Sequence, residues 1–185
     1  MKIFIGCSSS NDIPEKYKKD CEKYLKIILK ENDLVFGGDN TGLMSISYNI
    51  ARDIKRKIIA ASPKIFKNNI KKIEYDKKII TEDIFDRTKE LIKSSDASIF
   101  LPGGIGTVYE FFSLLESKRS HEFSKPIIIY NCQNYYDTMF ELLDKIYDEK
   151  FSKRESSKNY HISDSAEDTL NYLNNISKHQ LMWYN

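Results

Sequence analysis

Between Asp96 and Leu115 the chain passes from an apolar run to a glycine-rich turn and then to a helical stripe, an order that few folds accommodate. Asp96-Ala-Ser-Ile-Phe100 reads as a buried strand. Val108, Phe111, Phe112 and Leu115 follow at spacings of three, one and three, which is helical. Gly103, Gly104 and Gly106 lie between them, where an ordinary turn manages with one glycine. Glycines let the backbone pass close to an anion, and the free N–H groups of a helix start point towards it. The turn is therefore either a phosphate cradle at residues 103–107 or a tight structural connection.

The same alternation runs through the chain. Strands are predicted at 2–7, 34–36, 57–61, 96–100 and 125–130, with a further short one near the end of the lysine-rich stretch 64–80. Helices are predicted from near Pro14, with Asn11 or Asp12 as the cap, and from Gly42 towards Ile54. Another starts at Thr81, with Ile84, Thr88, Leu91 and Ile92 as its buried face. One follows the 103–107 turn to about Ser120, one covers 135–148, and the last is capped by Asp164 or Ser165. The polar stretch 152–159 reads as a surface loop, and the apolar tail Leu181-Met-Trp-Tyr184 as a segment that docks.

Strands alternating with helices predict an α/β fold, a Rossmann-like doubly wound parallel sheet in a single three-layer domain over residues 1–185. Ligands in such open sheets bind at the carboxyl ends of the strands, where the strand order reverses. Three small-residue turns fall at that end, at 6–10, 37–42 and 103–107. Gly6, Ser8, Gly37, Gly38, Gly103, Gly104, Gly106 and Thr107 are thus candidate contacts for one phosphate-bearing ligand.

Composition narrows the partners. With 29 basic and 27 acidic side chains the net charge is +2, which leaves no electrostatic footprint for nucleic acid or an anionic membrane. Cys7, Cys21 and Cys132 form no CxxC pair and read as reduced thiols of a cytoplasmic protein. His121, His161 and His179 lack metal-ligand spacing, so no metal site is expected. No apolar run approaches transmembrane length.

Two charged residues flank the glycine turn in this scheme. Arg87 sits at the edge of a buried stripe, the usual place of a snorkelling or salt-bridging cation. Glu110 falls opposite Val108, Phe112 and Leu115, which makes it an accessible glutamate near a helix start.

Pro102-Gly-Gly-x-Gly-Thr-x-x-Glu110 resembles the signature of the LOG family, the cytokinin riboside 5′-monophosphate phosphoribohydrolases, often labelled lysine decarboxylase-like. The resemblance extends from Ile3 to about Tyr136. It implies that Arg87 and Glu110 are catalytic and that residues 103–107 hold a 5′-phosphate. It also implies hydrolysis of a nucleoside 5′-monophosphate to free base and ribose 5-phosphate, with no cofactor, by a homodimer whose active sites lie near the subunit interface. The decarboxylase label would require a lysine that carries pyridoxal phosphate, and nothing singles one out.

The chain departs from the family pattern at three places. Asp39 stands where the second turn usually has a third glycine, putting a carboxylate where backbone should approach an anion. Thr88 replaces a lysine, and Tyr109 replaces the first of two glutamates. Those departures favour the alternative, a non-catalytic nucleotide-binding sensor or carrier on the same fold.

Overall fold

Strands that are apolar on both faces need cover on both sides, and the structure supplies it with two layers of helices. In a computed structural model the chain is described at residues 1–66, 68 and 73–182, with the side chains of all but 177–182. The strands are β1 (Lys2–Gly6), β2 (Asp33–Phe36), β3 (Ile58–Pro63), β4 (Lys77–Thr81), β5 (Ala97–Phe100), β6 (Ile127–Tyr130) and β7 (His161–Ser163). They form one sheet in the order β4-β3-β2-β1-β5-β6-β7, with every neighbouring pair parallel. The chain winds outward from β1 in one direction, then returns to its other side at β5. This is the doubly wound α/β fold, and its reversal of strand order lies between β1 and β5.

The helices are α1 (Glu15–Ile28), α2 (Gly42–Asp53), α3 (Ile84–Ser94), α4 (Ile105–Arg119), α5 (Asp137–Asp148) and α6 (Ala166–Met182). Alternation along each strand divides the core. Ile3, Ile5, Leu34 and Phe36 pack with Cys21, Leu25, Leu43 and Leu173 of α1, α2 and α6. Phe4, Val35 and Ala61 face the other way, against Leu91, Phe111, Leu114 and Leu143 of α3, α4 and α5. Burying each of the Val, Leu, Ile and Phe side chains among them contributes about 1.5–3 kcal/mol.

Several local features differ from the sequence expectation. α1 starts at Glu15 behind Pro14, with no side-chain cap from Asn11 or Asp12. α3 is capped by Asp83, whose Oδ1 accepts from the Asp86 N–H at 2.9 Å, and its Ile84 is exposed rather than buried. The predicted loop at 152–159 contains a 3-10 turn, Arg154–Asn159, and leads into β7, an edge strand too short to show a period. Ser165 does cap α6, through its Oγ and the Asp168 N–H. Trp183, Tyr184 and the side chains of Leu181 and Met182 lie outside the described residues. No helix among the described residues is long and apolar enough to cross a membrane.

Candidate active site

β1 and β5 end level with one another, Gly6 beside Phe100, so the turns that follow them begin side by side. The Leu101 N–H donates to the Gly6 carbonyl at 2.9 Å and the Ser8 N–H to the Pro102 carbonyl at 3.1 Å. From there the 103–107 turn enters α4 through Gly104, and no side chain caps the helix. The first N–H groups of a helix have no partners within it. A Cβ on Gly103 would stand 2.1 Å from the Thr107 Oγ1, so packing excludes a side chain there. Gly104 and Gly106 are different: a Cβ on either would meet nothing within 4 Å. Protein packing does not demand glycine at these two positions, which face open space. Behind the loop, the Tyr135 hydroxyl donates to the Gly103 carbonyl and the Tyr136 hydroxyl to the Leu101 carbonyl, each at 2.7 Å.

The second glycine turn is built differently. Gly38 and Gly42 have φ of 77° and 55°, values that favour glycine. The Gly42 N–H donates to Asn11 Oδ1 at 2.9 Å, and those of Leu43 and Met44 donate to the Ser8 carbonyl at 2.9 and 3.3 Å. The start of α2 is therefore filled by the protein's own first turn. Ser8, with its N–H on Pro102 and its carbonyl on α2, ties the three turns together through its backbone. Its hydroxyl accepts from the Ser10 N–H at 3.1 Å.

Arg87 and Glu110 meet over the end of β1. Arg87 Nη2 donates to Glu110 Oε1 at 2.5 Å, with side-chain exposures of 12% and 4%. The expectation that Glu110 is accessible is corrected here: it is buried, and among the described residues it is the only buried carboxylate. The buried stripe of α4 runs through Thr107, Glu110, Phe111, Leu114 and Leu115, while Val108 and Phe112 are only partly buried. Two polar residues open that stripe, so apolar spacing alone sets its phase wrongly. Gly6 makes room for the acid, since a Cβ there would lie 2.6 Å from the Phe100 ring and 3.4 Å from Glu110 Oε2. Burial raises the Glu110 carboxyl to about 7, against the opposing charge and hydrogen bond of Arg87. Arg87 Nε is buried with no hydrogen-bond partner among the described residues.

Beyond Arg87, past the ends of β2 and β3, lies a cavity of about 130 Å³ lined by Ser9, Gly37, Gly38, Asp39, Met44, Ser62, Phe66 and Arg87. Asp39 is thus placed in this cavity, beside a turn whose helix N–H groups are already taken, and not at an open anion cradle. Its Oδ1 accepts from the Thr41 hydroxyl at 3.1 Å. Thr88 is buried and donates to the Ile84 carbonyl of its own helix, and the Tyr109 ring lies edge-on to Phe85 at 5.9 Å. A wider groove of about 1420 Å³ between the C-terminal halves of α4 and α5 contains neither Arg87 nor Glu110.

The structure thus brings Gly6, Arg87 and Glu110 together, sets Gly37 and Gly38 along the cavity, and leaves Gly104 and Gly106 open beside Thr107. Of the other cavity residues, Ser9 belongs to the 6–10 turn and Met44 follows the second glycine turn, whereas Ser62 and Phe66 carry no local motif, because they come from other strands and turns. No group of His, Cys, Asp and Glu among the described residues could hold a metal ion. A buried cation–carboxylate pair next to an uncapped helix start suits chemistry on a small anionic substrate that carries positive charge in its transition state.

The family described as possible lysine decarboxylase matches residues 44–173. A probable cytokinin riboside 5′-monophosphate phosphoribohydrolase of Arabidopsis thaliana, LOG6, is 30% identical over 155 residues, 80% of this chain and 75% of that protein. A probable cytokinin riboside 5′-monophosphate phosphoribohydrolase of Oryza sativa subsp. japonica, LOG4, is 27% identical over 149 residues, again 80% of this chain but 65% of the rice protein's length. Among solved structures, the molybdenum cofactor binding protein of Rippkaea orientalis superposes with a TM-score of 0.69 at 21% identity, over 95% of this chain and 96% of its own. That last likeness concerns the fold. The residues matched and their extent establish that the chain belongs to the LOG-type family described as possible lysine decarboxylases.

Proposed function

We propose that the protein hydrolyses the N-glycosidic bond of nucleoside 5′-monophosphates, of the AMP or cytokinin riboside monophosphate type, giving free base and ribose 5-phosphate. The observation that carries this reading is the buried Arg87–Glu110 pair beside the open start of α4. The 5′-phosphate would sit on the N–H groups at Gly104, Gly106 and Thr107, where the helix dipole favours an anion. Binding energy gained there is remote from the bond that breaks and can be used on the chemical step.

Cleavage makes the ribose oxocarbenium-like at C1′. A carboxylate held close to it stabilises that charge and takes a proton from the attacking water, as in glycoside hydrolysis. The C1′–N bond breaks with its electron pair passing to the base, which is then protonated. Glu110 suits this role because burial pushes its carboxyl up to about 7, into the range of a general base at neutral pH. Arg87 orients one oxygen of Glu110 and opposes the cost of burying its charge.

The test is release of base from AMP and from isopentenyladenosine monophosphate, with Glu110→Gln alongside. The variant should lose at least about a hundredfold in turnover. Since the carboxylate must be ionised, the wild-type rate should rise through about pH 7 and level off above it. A rate that falls over that range would remove Glu110 as the base. The alternative is a nucleotide sensor or carrier that does not turn over. It would bind AMP equally well with Glu110→Gln and release no base from either protein.

The same reading makes the protein a cytoplasmic homodimer. Ile84, Phe85 and Ile105 are exposed apolar side chains at the starts of α3 and α4, close to the Arg87–Glu110 pair, and a second copy would cover them. Sedimentation should give twice the chain mass, reduced to one by Phe85→Glu; a monomeric wild type overturns this part. The free, buried thiols of Cys7, Cys21 and Cys132 suit a reducing compartment, a placement that recovery from an extracytoplasmic fraction would exclude.

A further inference from the structure

The order of features along the sheet edge gives the substrate a direction. The open start of α4 follows β5, Glu110 lies over the end of β1, and the 130 Å³ cavity lies past β2 and β3. From β5 to β2 is two strand spacings, about 10 Å, comparable with the reach from phosphate to base in a 5′-mononucleotide. With the phosphate on α4 and C1′ at Glu110, the base enters the cavity. Arg87 belongs to both places, since it pairs with Glu110 and lines the cavity.

The cavity walls then read the base. The Asp39 carboxylate accepts hydrogen bonds and donates none, while the guanidinium of Arg87 donates and accepts none. Arg87 Nη1 is on the cavity side, 3.9 Å from a Cβ built on the lining residue Gly37, and is placed to donate there. Met44 and Phe66 supply apolar surface for a ring. A donor wall near an acceptor wall complements an edge that presents an amino group beside an unprotonated ring nitrogen. Cytosine and adenine carry that edge, whereas uracil and hypoxanthine reverse it. Size bears on the same choice: an apolar cavity of about 150 Å³ takes one benzene ring, so a site of about 130 Å³ is filled by the ring itself, and an alkyl substituent would have to extend through its open side.

We propose that this cavity is the base site and that Asp39 is a specificity-determining residue, selecting a base with an unsubstituted exocyclic amino group over one with a carbonyl at that place. The proposal rests on the phosphoribohydrolase reading for its orientation. It goes beyond that reading by giving a function to the carboxylate that replaces a family glycine. A carboxylate facing a carbonyl oxygen leaves two acceptors opposed, and one good polar contact of this kind discriminates by roughly ten- to a hundredfold.

The experiment compares AMP with IMP and CMP with UMP, pairs that differ in the amino or carbonyl group and its neighbouring ring proton. Each is measured with wild type, Asp39→Gly and Asp39→Asn, and isopentenyladenosine monophosphate is added as a bulky substrate. In wild type kcat/KM for the amino member should exceed that for its carbonyl partner by at least about tenfold. The ratio should fall towards one in Asp39→Gly. Asp39→Asn keeps the shape of the side chain and can turn an amide N–H towards the carbonyl, so it should recover IMP or UMP. Whether CMP or AMP is the better substrate tells which ring the site takes, and the isopentenyl nucleotide should fall below AMP. A ratio that both variants leave unchanged, with base still released, overturns the inference and spares the hydrolase reading. If no nucleotide is cleaved, the hydrolase reading fails. Calorimetric affinities for AMP and IMP then decide the inference, with equal values overturning it.

Discussion

Two helices of this protein begin with glycine-rich turns, and in the folded chain one start is filled and the other open. At the start of α2 the N–H groups of Gly42, Leu43 and Met44 are taken by Asn11 and by the Ser8 carbonyl. At the start of α4 no side chain caps the helix, and Gly104 and Gly106 look onto open space. Both turns are rich in glycine, yet the reasons differ. Gly42 is glycine because its φ is +55° and a Cβ would stand 2.5 Å from the Ser10 carbonyl oxygen. Gly106 has no such constraint from the protein. A glycine-rich helix start is thus an anion site only where its donors remain unspent, and the partners that spend them are distant in sequence.

Substituting the two glycines breaks the comparison most directly. Gly42→Ala should destabilise by about 3 kcal/mol, from the left-handed backbone together with the clash. For a chain of this size that lowers Tm by about 6–12 °C, while the protein that remains folded keeps its KM for a nucleoside 5′-monophosphate. Gly106→Ala should act in the opposite way. It replaces glycine within a helix, which favours folding by about 0.5–1 kcal/mol, but its methyl group would stand where the proposed phosphate site lies. KM for the monophosphate should rise about tenfold, the scale of one charge-assisted hydrogen bond. Thermal melts and initial rates on the same preparations check both. Should Gly106→Ala leave KM alone, the phosphate is not on α4.

The contrast also marks how far a single sequence can be read. The alternation of strands and helices, and the ends of the strands to which the glycine turns belong, follow from apolar periodicity and turn residues. The convergence of those turns follows from the topology rule for open sheets. Which of them stays open does not, because the decision rests on Asn11 and Ser8 reaching α2 across more than thirty residues of chain. Glu110 teaches a related point. Periodicity treats a buried position as apolar, so Thr107 and Glu110 at the head of the α4 stripe displaced its phase and turned a buried acid outward. The signature motif singles out Glu110, while the apolar pattern around it misplaces its surroundings. Asp39 stands out in the sequence as a departure from the family pattern, but its neighbours Ser62 and Phe66 come from other turns and strands and carry no local signal.

The smallest effect is the most selective test of the filled helix start. Asn11 Oδ1 accepts from the Gly42 N–H at 2.9 Å, and removing it by Asn11→Ala should cost about 1 kcal/mol, as loss of a helix cap does. Tm should fall by about 2–4 °C. The substitution also frees the Gly42 N–H at the start of α2. If that helix were a second anion site held closed by Asn11, the freed donor would tighten binding of a monophosphate or of inorganic phosphate. The Ser8 carbonyl still occupies Leu43 and Met44, however, and a lone N–H is a poor cradle. KM should therefore stay at the wild-type value while stability drops. A lower KM in Asn11→Ala would mean that the two glycine turns differ in degree only, with the phosphate free to choose between them.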